Sequence, residues 1–246
     1  MPEKTTPSRS EGRDATTPRS ITVQTGIIEG HPGSVLYRCG KTEILAVATL
    51  QEGTPPWRDD SLGWLTGDYT MLPYATEPRG SSPNDGRIDG RTQEIRRLIG
   101  RSLRTSINFP KMPGRTIHLD CSVQRADGGT RTASINAASI ALGKLIAREQ
   151  ASGRLPEDPR QGTVLAISVG RIGEVSLVDL DYPEDSKADI DLNVVATPSG
   201  DLVEVQGASE SKPLPPAVWT ELVNLGSSAI AELGTNLKEH LTPIDR

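Results

Sequence analysis

Residues 115–150, RTIHLDCSVQRADGGTRTASINAASIALGKLIAREQ, join two contrasting patterns across a pair of glycines. The first part, residues 115–126, alternates apolar and polar side chains, which predicts a β-strand. The second part, residues 130–150, is rich in alanine and predicts a helix whose small side chains pack closely against a sheet. A strand that leads directly into such a helix is typical of folds that combine helices with a sheet.

The segments before this stretch continue the pattern. Between Ser20 and Leu72, short apolar runs rich in Ile, Val, Leu, Thr and Tyr are bounded by turn residues, which predicts β-strands. Residues 73–90 are dense in Pro, Gly, Ser and Asn and are expected to form a long loop. A helix is predicted from about Arg91 to Ile107, because apolar residues recur there at steps of three and four.

The segments after it repeat the order. Four strand-like runs lie between residues 163 and 207, and a last helix is predicted from about Pro215 to Leu241. The chain therefore has two related strand-rich halves and an α/β (α+β) fold with a mixed sheet. Residues 1–11 are polar and without periodicity, which predicts a mobile tail before a single domain over residues 12–246.

Composition and motifs indicate the cellular compartment and disfavour some classes of enzyme. The two cysteines, Cys39 and Cys121, lie in strand-like runs and predict free thiols in a reducing compartment. We see no leader at Met1 and no apolar run near the ~20 residues of a membrane span, so a cytoplasmic protein without membrane contact is expected. None of the three histidines has a zinc-ligand spacing and no G-x-S-x-G motif occurs, which disfavours zinc enzymes and serine hydrolases.

Charge is distributed unevenly along a chain whose net charge is -5. Residues 87–131 hold ten basic and four acidic side chains, and nine of the ten are arginines. Residues 173–210 hold ten acidic side chains and a single lysine. Arginine suits phosphate oxygens, and a crowded acidic segment attracts a divalent cation. The alternative is that both are solvated surfaces that pair with each other or with another subunit.

Two glycine-led helix starts are candidate anion sites. At residues 127–132, DGGTRT, glycines let the backbone approach an anion, while Thr130 adds a hydroxyl and Arg131 a charge. Gly90 and Arg91 open the other helix in the same way. If the two helix starts converge, they bind one phosphate. Taken alone, each is also an ordinary helix start.

The segment YPEDSKADIDLN, residues 182–193, carries the candidate metal ligands. Asp189, Asp191 and Asn193 alternate and would share one face of a strand. Asp185 lies in the preceding loop, from which it can fold back towards Asp191. Two carboxylates beside a phosphate site would hold Mg²⁺ through oxygen ligands. The alternative is a surface acidic loop with a turn or capping role.

Six stretches, taken in order, resemble the landmarks of the ribonuclease PH family: GSVLYRCGKTEILAVAT, GWLTGDYTMLP, GRTQEIRRLIGRSLR, DCSVQRADGGTRTASI, DLDYPEDSKADIDLNVV and LVEVQG. The resemblance runs from about Gly12 to the last helix. It implies two ββαβα-like halves of the ribosomal protein S5 domain 2-like type, assembled as a homohexamer from three dimers. It also implies Mg²⁺-assisted removal of 3′ nucleotides from precursor tRNA by inorganic phosphate, which releases nucleoside diphosphates.

The resemblance also assigns roles by position. The family's phosphate-binding positions match Arg91, Gly129, Thr130 and Arg131, and its acidic pair for metal binding and catalysis matches Asp185 and Asp191. Four further arginines are expected to contact RNA: Arg79, Arg87, Arg97 and Arg104.

The loop after residue 73 departs from the family pattern. Tyr74 stands where the family usually has an arginine, and of the loop's basic residues only Arg79 and Arg87 are present. Catalysis is therefore expected to be retained, whereas a preference for tRNA stays open. The alternative function is a catalytically silent, RNA-binding ring subunit, as occurs among exosome relatives.

Overall fold

The computed structural model describes residues 9–81, 89–210 and 212–242, which hold nine strands and four α-helices. The first half consists of β1 (Ile21–Thr25), β2 (Ser34–Cys39), β3 (Thr42–Glu52), β4 (Trp64–Met71), α1 (Gly90–Arg104), β5 (Arg115–Arg125) and α2 (Thr130–Ala151). The second half consists of β6 (Leu165–Ile172), β7 (Val175–Val178), α3 (Tyr182–Asp185), β8 (Ile190–Ala196), β9 (Leu202–Ser209) and α4 (Pro216–Asn236).

Each half is built on its own sheet. The first half forms a five-stranded sheet in the order β1-β2-β3-β5-β4, and the second forms a four-stranded sheet in the order β7-β6-β8-β9. Neighbouring strands are antiparallel except β4 and β5. These two run parallel because α1 carries the chain back between them. The predicted α/β (α+β) class, with two strand-rich halves and a mixed sheet, is confirmed.

Helix α2 joins the halves. It packs against β2, β3 and β5 of the first sheet and against β6 and β8 of the second. The buried Ala133, Ala137 and Ala138 let the backbones on either side approach closely. The buried Asn136 accepts a hydrogen bond from the N–H of Ala166 on β6 at 2.8 Å and donates to its carbonyl oxygen at 2.9 Å. One continuous apolar core therefore runs through both halves.

Three details of the helices differ from the prediction. Helices α1 and α4 end at Arg104 and Asn236, a few residues before the predicted positions. The acidic segment after β7, predicted as a loop, contains the short helix α3. This helix begins with a reciprocal cap, in which Asp181 accepts from the N–H of Glu184 and the Glu184 side chain accepts from the N–H of Asp181. The cap explains why so short a segment is helical.

Three arginines near the start of the described chain are buried against the second half. Arg9 donates to both carboxylate oxygens of Glu184, at 2.7 and 3.0 Å. Arg19 donates to both carboxylate oxygens of Asp179, at 2.9 and 2.7 Å. Arg13 lies between these pairs, 3.5 Å from Glu184 and 3.9 Å from Asp179. We call these five residues the arginine clamp, in which each buried guanidinium has the carboxylate partner that burial requires.

The clamp corrects the prediction of a mobile tail at residues 9–11, whereas residues 1–8 lie outside the described residues. Arg9 is buried and residues Ser10–Gly12 form a 3-10 turn, so residues 9–11 belong to the folded structure. Polar composition alone predicted a tail, because it cannot show that the cations meet carboxylates about 170 positions away. The clamp also reaches the turn before α2, where Arg19 donates to the carbonyl oxygen of Asp127.

The clamp stabilises the ionised form of Asp179. Burial opposes ionisation of Asp179, but the hydrogen bonds and the charge of Arg19 outweigh burial and leave the pKa of Asp179 below its ordinary value. The folded-state pKa is therefore lower than the unfolded-state pKa of about 3.9. The stabilisation is fully present above that unfolded-state pKa and is lost as the pH falls through the lower folded-state pKa.

We expect Arg19→Met to lower the free energy of unfolding by about 3–5 kcal/mol, because it leaves the buried Asp179 without its main partner. The matched control is Arg38→Met, which removes the partly exposed Arg38–Glu43 pair and should cost less than about 1 kcal/mol. Urea denaturation followed by tryptophan fluorescence measures both changes. Equal losses in the two variants would show that the clamp is no stronger than a surface pair.

Two predictions about the compartment concern the cysteines and the membrane. Cys39 and Cys121 are both buried free thiols, as predicted. No helix within the described ranges is both long and apolar enough to cross a bilayer. The cytoplasmic location stays a prediction.

Candidate active site

A cavity of about 420 Å³ opens where the two halves meet. It is lined by the start of α1, the turn before α2, helix α3 and strand β8. The site residues predicted from the sequence that line it are Arg91, Gly129, Thr130, Arg131, Asp185 and Asp191. The two helix starts and the two carboxylates therefore meet in one cavity, whose volume lies in the range that holds a small molecule.

The turn before α2 brings the halves into contact. Gly128 and Gly129 have φ values of +76° and +63°, in the backbone region that favours glycine. A Cβ atom on Gly128 would lie 2.5 Å from the carbonyl oxygen of Leu180 and 2.8 Å from the backbone nitrogen of Tyr182. A residue with a side chain at this position would force the turn away from the backbone that leads into α3. Glycine here therefore allows the anion-binding turn to lie beside the acidic helix.

The two helix starts contribute different groups to the cavity. At the start of α1, the Asp89 side chain accepts a hydrogen bond from the N–H of Thr92 at 2.6 Å. At the start of α2, Gly129 is the capping residue and supplies no side-chain acceptor. The first N–H groups of α2 are therefore available to an anion. Helix α1 contributes chiefly the exposed side chain of Arg91, which forms no ion pair with any residue in the described ranges.

Arg131 is held in place by Glu94, but its buried Nε atom has no hydrogen-bond acceptor among the described residues. Its Nη2 atom lies 3.4 Å from each carboxylate oxygen of Glu94 on α1. Glu94 in turn accepts a hydrogen bond from Gln206 Nε2 on β9 at 2.8 Å. The Nε atom of Arg131 is buried and has no hydrogen-bond partner among the described residues. Buried donors are nearly always satisfied, so this atom marks a position where a ligand oxygen would bind.

The carboxylates face this cationic side from α3 and β8. Burial raises the pKa of Asp191 to about 6; the charge of Asp185 adds to this effect, while Arg131 opposes it. Burial also raises the pKa of Asp185, against the charges of Arg91 and Arg131. Two crowded carboxylates beside two arginines make a site that attracts a cation on one side and an anion on the other.

Asp189 does not line the cavity, although it precedes Asp191 by two residues. Strand β8 begins only at Ile190, and Asp189 accepts a hydrogen bond from the N–H of Gly173 in the turn between β6 and β7, at 2.7 Å. Asp191 and Asn193 line the cavity, whereas Asp189 is absent from its described lining.

Three residues that contact the site were not predicted from the sequence: Glu94, Gln206 and Tyr69. Glu94 follows Arg91 by three residues on the same helix, a spacing that would have indicated a shared face. Gln206 and Tyr69 lie within strands and carry no comparable signal. Tyr69 donates a hydrogen bond to the hydroxyl oxygen of Thr130 at 3.1 Å.

Comparison with known families decides the identity of the chain. The family model described as 3′ exoribonuclease family, domain 1, matches residues 17–145. The family model for domain 2 of the same family matches residues 162–229. This chain belongs to the ribonuclease PH family. The family models divide it into two domains, where the sequence predicted one domain over residues 12–246; the continuous core explains why the two pack as a unit.

Curated relatives named ribonuclease PH match this chain over nearly their whole length. The chain is 44% identical to the ribonuclease PH of Rhodopirellula baltica over 92% of this chain and 94% of the relative. It is also 44% identical to that of Deinococcus radiodurans, over 95% of each. At this identity the chain is an enzyme of the ribonuclease PH type, a phosphorolytic 3′ exoribonuclease of the nucleotidyltransferase class.

Solved structures share the ribonuclease PH fold at lower identity. The chain is similar to a subunit of the Archaeoglobus fulgidus exosome with RNA bound to the active site, with a TM-score of 0.79, 21% identity and coverage of 94% and 93% of the two chains. It is also similar to a chain of an archaeal exosome core, with a TM-score of 0.76, 21% identity and coverage of 94% and 91%. These likenesses confirm the fold.

The arginines expected to contact RNA in this ribonuclease PH chain lie in different surroundings. Arg79 and Arg97 are exposed, and Arg79 follows residues 76–78, which line the cavity. Arg87 lies outside the described residues. Arg104 lies over the Trp64 ring at 4.7 Å and donates to the carbonyl oxygen of Leu65 at 3.3 Å.

The RNA contact of Arg104 stays a prediction, at a position away from the cavity. Trp64 begins strand β4, and Met71 at the other end of that strand lines the cavity. From the rise per residue of a β-strand, Trp64 and Met71 are about 20 Å apart. The guanidinium of Arg104 is part of the packing around Trp64.

Proposed function

We propose that this chain shortens RNA from its 3′ end, including the 3′ extensions of precursor tRNA, with inorganic phosphate held by Arg91, Gly129, Thr130 and Arg131. The observation that carries the proposal is the single cavity in which these groups face Asp185 and Asp191. Family membership supports the type of reaction, and the cavity supports the assignment of these residues to phosphate binding.

The reaction needs no activated nucleophile from the protein. A phosphate oxygen attacks the phosphorus of the last RNA linkage, the bond from phosphorus to the 3′ oxygen of the preceding nucleotide breaks, and nucleoside diphosphate leaves. The shortened RNA takes a proton on its new 3′ hydroxyl. Two anions must be held in line for this step, so positioning and cationic groups supply most of the catalysis. The free N–H groups of α2, together with Thr130 and Arg131, would bind the attacking phosphate. Arg91 would bind oxygens that lie between this phosphate and the RNA linkage under attack.

The donors at Asp185 and Asp191 fit Mg²⁺, which we propose as the cofactor. Burial raises the pKa of Asp191 to about 6, and the nearby charge of Asp185 adds to this effect; a divalent cation would relieve the repulsion between the two carboxylates. Within the described residues no group of three or more His, Cys, Asp and Glu side chains could hold a metal ion. The two carboxylates therefore fit an ion that keeps its waters and shares substrate oxygens, as Mg²⁺ does in phosphoryl-transfer sites. When bound, Mg²⁺ neutralises phosphate charge.

We also propose a homohexamer built from three dimers, with RNA backbone contacts from Arg79 and Arg97. The exposed Leu202 and Val205 on the edge strand β9 support a subunit contact, because an uncovered apolar edge strand favours pairing. Native mass spectrometry tests the assembly, and a dimer or monomer as the only species would contradict it.

The function is tested with tRNA that carries a short 3′ tail, incubated with and without inorganic phosphate. We expect nucleoside diphosphates to accumulate only with phosphate. Tail-bound protein that releases no nucleotide would instead support a silent RNA-binding subunit, and nucleoside monophosphates would indicate hydrolysis. An unstructured RNA of equal tail sequence measures the preference for tRNA, which the reduced number of arginines after Tyr74 leaves open.

A further inference from the structure

A buried tyrosine lies behind the wall of the cavity. Tyr69, on β4, is 1% exposed, and its phenol oxygen lies 3.1 Å from the hydroxyl oxygen of Thr130 at the start of α2. Thr130 lines the cavity, whereas Tyr69 is absent from the described lining. The two hydroxyl groups thus form a pair that points from the core of the first half towards the anion-binding turn.

The direction of this hydrogen bond follows from the partners available. Burial raises the pKa of Tyr69, so its phenol is protonated at neutral pH and needs an acceptor. Among the described residues, the only hydrogen-bond partner of this phenol is Thr130. A phenol without an acceptor would leave a buried polar group unsatisfied. The Tyr69 proton therefore lies on the bond to Thr130, and the Thr130 oxygen acts as acceptor.

The Thr130 hydroxyl carries one proton of its own, which cannot lie on the same bond. Within the described residues, the Thr130 hydroxyl has no second hydrogen-bond partner. Its proton is therefore directed away from Tyr69 and is available to a ligand in the cavity that Thr130 lines. A hydroxyl whose proton direction is fixed before a ligand arrives binds an anion with less loss of rotational freedom.

We propose that Tyr69 is a positioning residue that fixes the Thr130 hydroxyl as a hydrogen-bond donor to inorganic phosphate. This inference rests on the proposed binding of phosphate at Thr130. It assigns the phosphate site a supporting residue on β4, behind the residues that line the cavity.

The test is the Michaelis constant for phosphate in the Tyr69→Phe variant, measured by release of nucleoside diphosphate from tailed RNA. We expect this constant to rise about three- to tenfold, the effect of losing one hydrogen bond, with little change in the constant for RNA. The matched control is Tyr37→Phe, which removes the hydroxyl of another buried tyrosine, one that accepts from Asn136 at 3.4 Å. This control should keep the wild-type constant for phosphate.

A double-variant comparison separates positioning from general damage. In a Thr130→Val background, Tyr69→Phe should cause no further rise in the constant for phosphate, because the hydroxyl that it orients is gone. In a Thr130→Ser background, which keeps the hydroxyl, Tyr69→Phe should still raise it. Equal effects of Tyr69→Phe in the wild-type and Thr130→Val backgrounds would overturn the proposal.

The outcomes also separate this inference from the function on which it rests. A wild-type chain that releases no nucleoside diphosphate contradicts the proposed function itself. A wild-type chain that is active, together with a Tyr69→Phe variant whose constant for phosphate is unchanged, contradicts the positioning role alone.

Discussion

The Asp191→Asn variant is expected to lose about 100- to 1,000-fold of the rate constant for phosphorolysis at saturating RNA and phosphate, the range seen when one preorganised group is removed from an active site. Asp191 lines the cavity opposite Arg131 and is crowded by Asp185. Asparagine keeps the shape of the side chain but removes the charge that would hold Mg²⁺. The rate of nucleoside diphosphate release in the presence of Mg²⁺ measures the loss.

Asp189→Asn is the matched control for this experiment. It makes the same chemical change two residues earlier, where the side chain accepts from the N–H of Gly173, a bond that asparagine can also accept. This variant should keep its activity. Asp191→Asn should also unfold no more easily than wild type, because burial and the charge of Asp185 raise the pKa of Asp191, and the substitution removes a carboxylate whose ionised form they disfavour. Full activity in Asp191→Asn would remove that residue from the mechanism.

The Arg131→Ala variant should lose about 100- to 1,000-fold of kcat/KM for phosphate, because it removes charge and a buried donor from the anion side. Arg131→Lys should recover only part of this loss, since an ammonium group cannot reproduce the paired donors of a guanidinium. Rates at varied phosphate concentration measure the ratio, and addition of guanidinium ion to Arg131→Ala tests whether the missing group can be supplied from solution.

The control for Arg131→Ala lies on the same helix. Arg148, near the end of α2, donates to the carbonyl oxygen of Gly30 and lies about 25 Å from Arg131 at the rise of a helix. Arg148→Ala should leave kcat/KM for phosphate within about twofold of wild type, since a surface substitution away from the site changes little. Similar losses in both variants would mean that the effect comes from the helix or from net charge, and not from the cavity.

The sequence predicted the local parts of the site because their signals are local. The alternation before Asp127 and the alanine-rich run after Thr130 placed the anion-binding turn between a strand and a helix, as observed. Spacing could not show that the turn meets α3, because that contact depends on the backbone of Leu180 passing Gly128. The meeting of the two helix starts was a hypothesis for the same reason.

The surroundings that the sequence did not predict share a cause, namely partners that are distant in the chain. Arg104 belongs to a basic helix face, but Trp64, forty positions earlier, decides where its guanidinium lies. Asp189 follows the alternation of its neighbours, but β8 begins one residue later and the turn at Gly173 takes its carboxylate. Arg9 lies in a polar stretch that composition predicts to be mobile, and its burial is explained by Glu184 and by the carbonyl oxygens of Val178 and Asp179.

The arginine clamp has a consequence for synthesis on the ribosome. Arg9, Arg13 and Arg19 are translated well before Asp179 and Glu184, so they have no buried partner while the first sheet emerges. The leading segment of the nascent chain therefore has no carboxylate partners for its clamp arginines until Asp179 and Glu184 have been translated. An RNA-degrading centre assembled in this way stays incomplete until translation of the second half is well advanced.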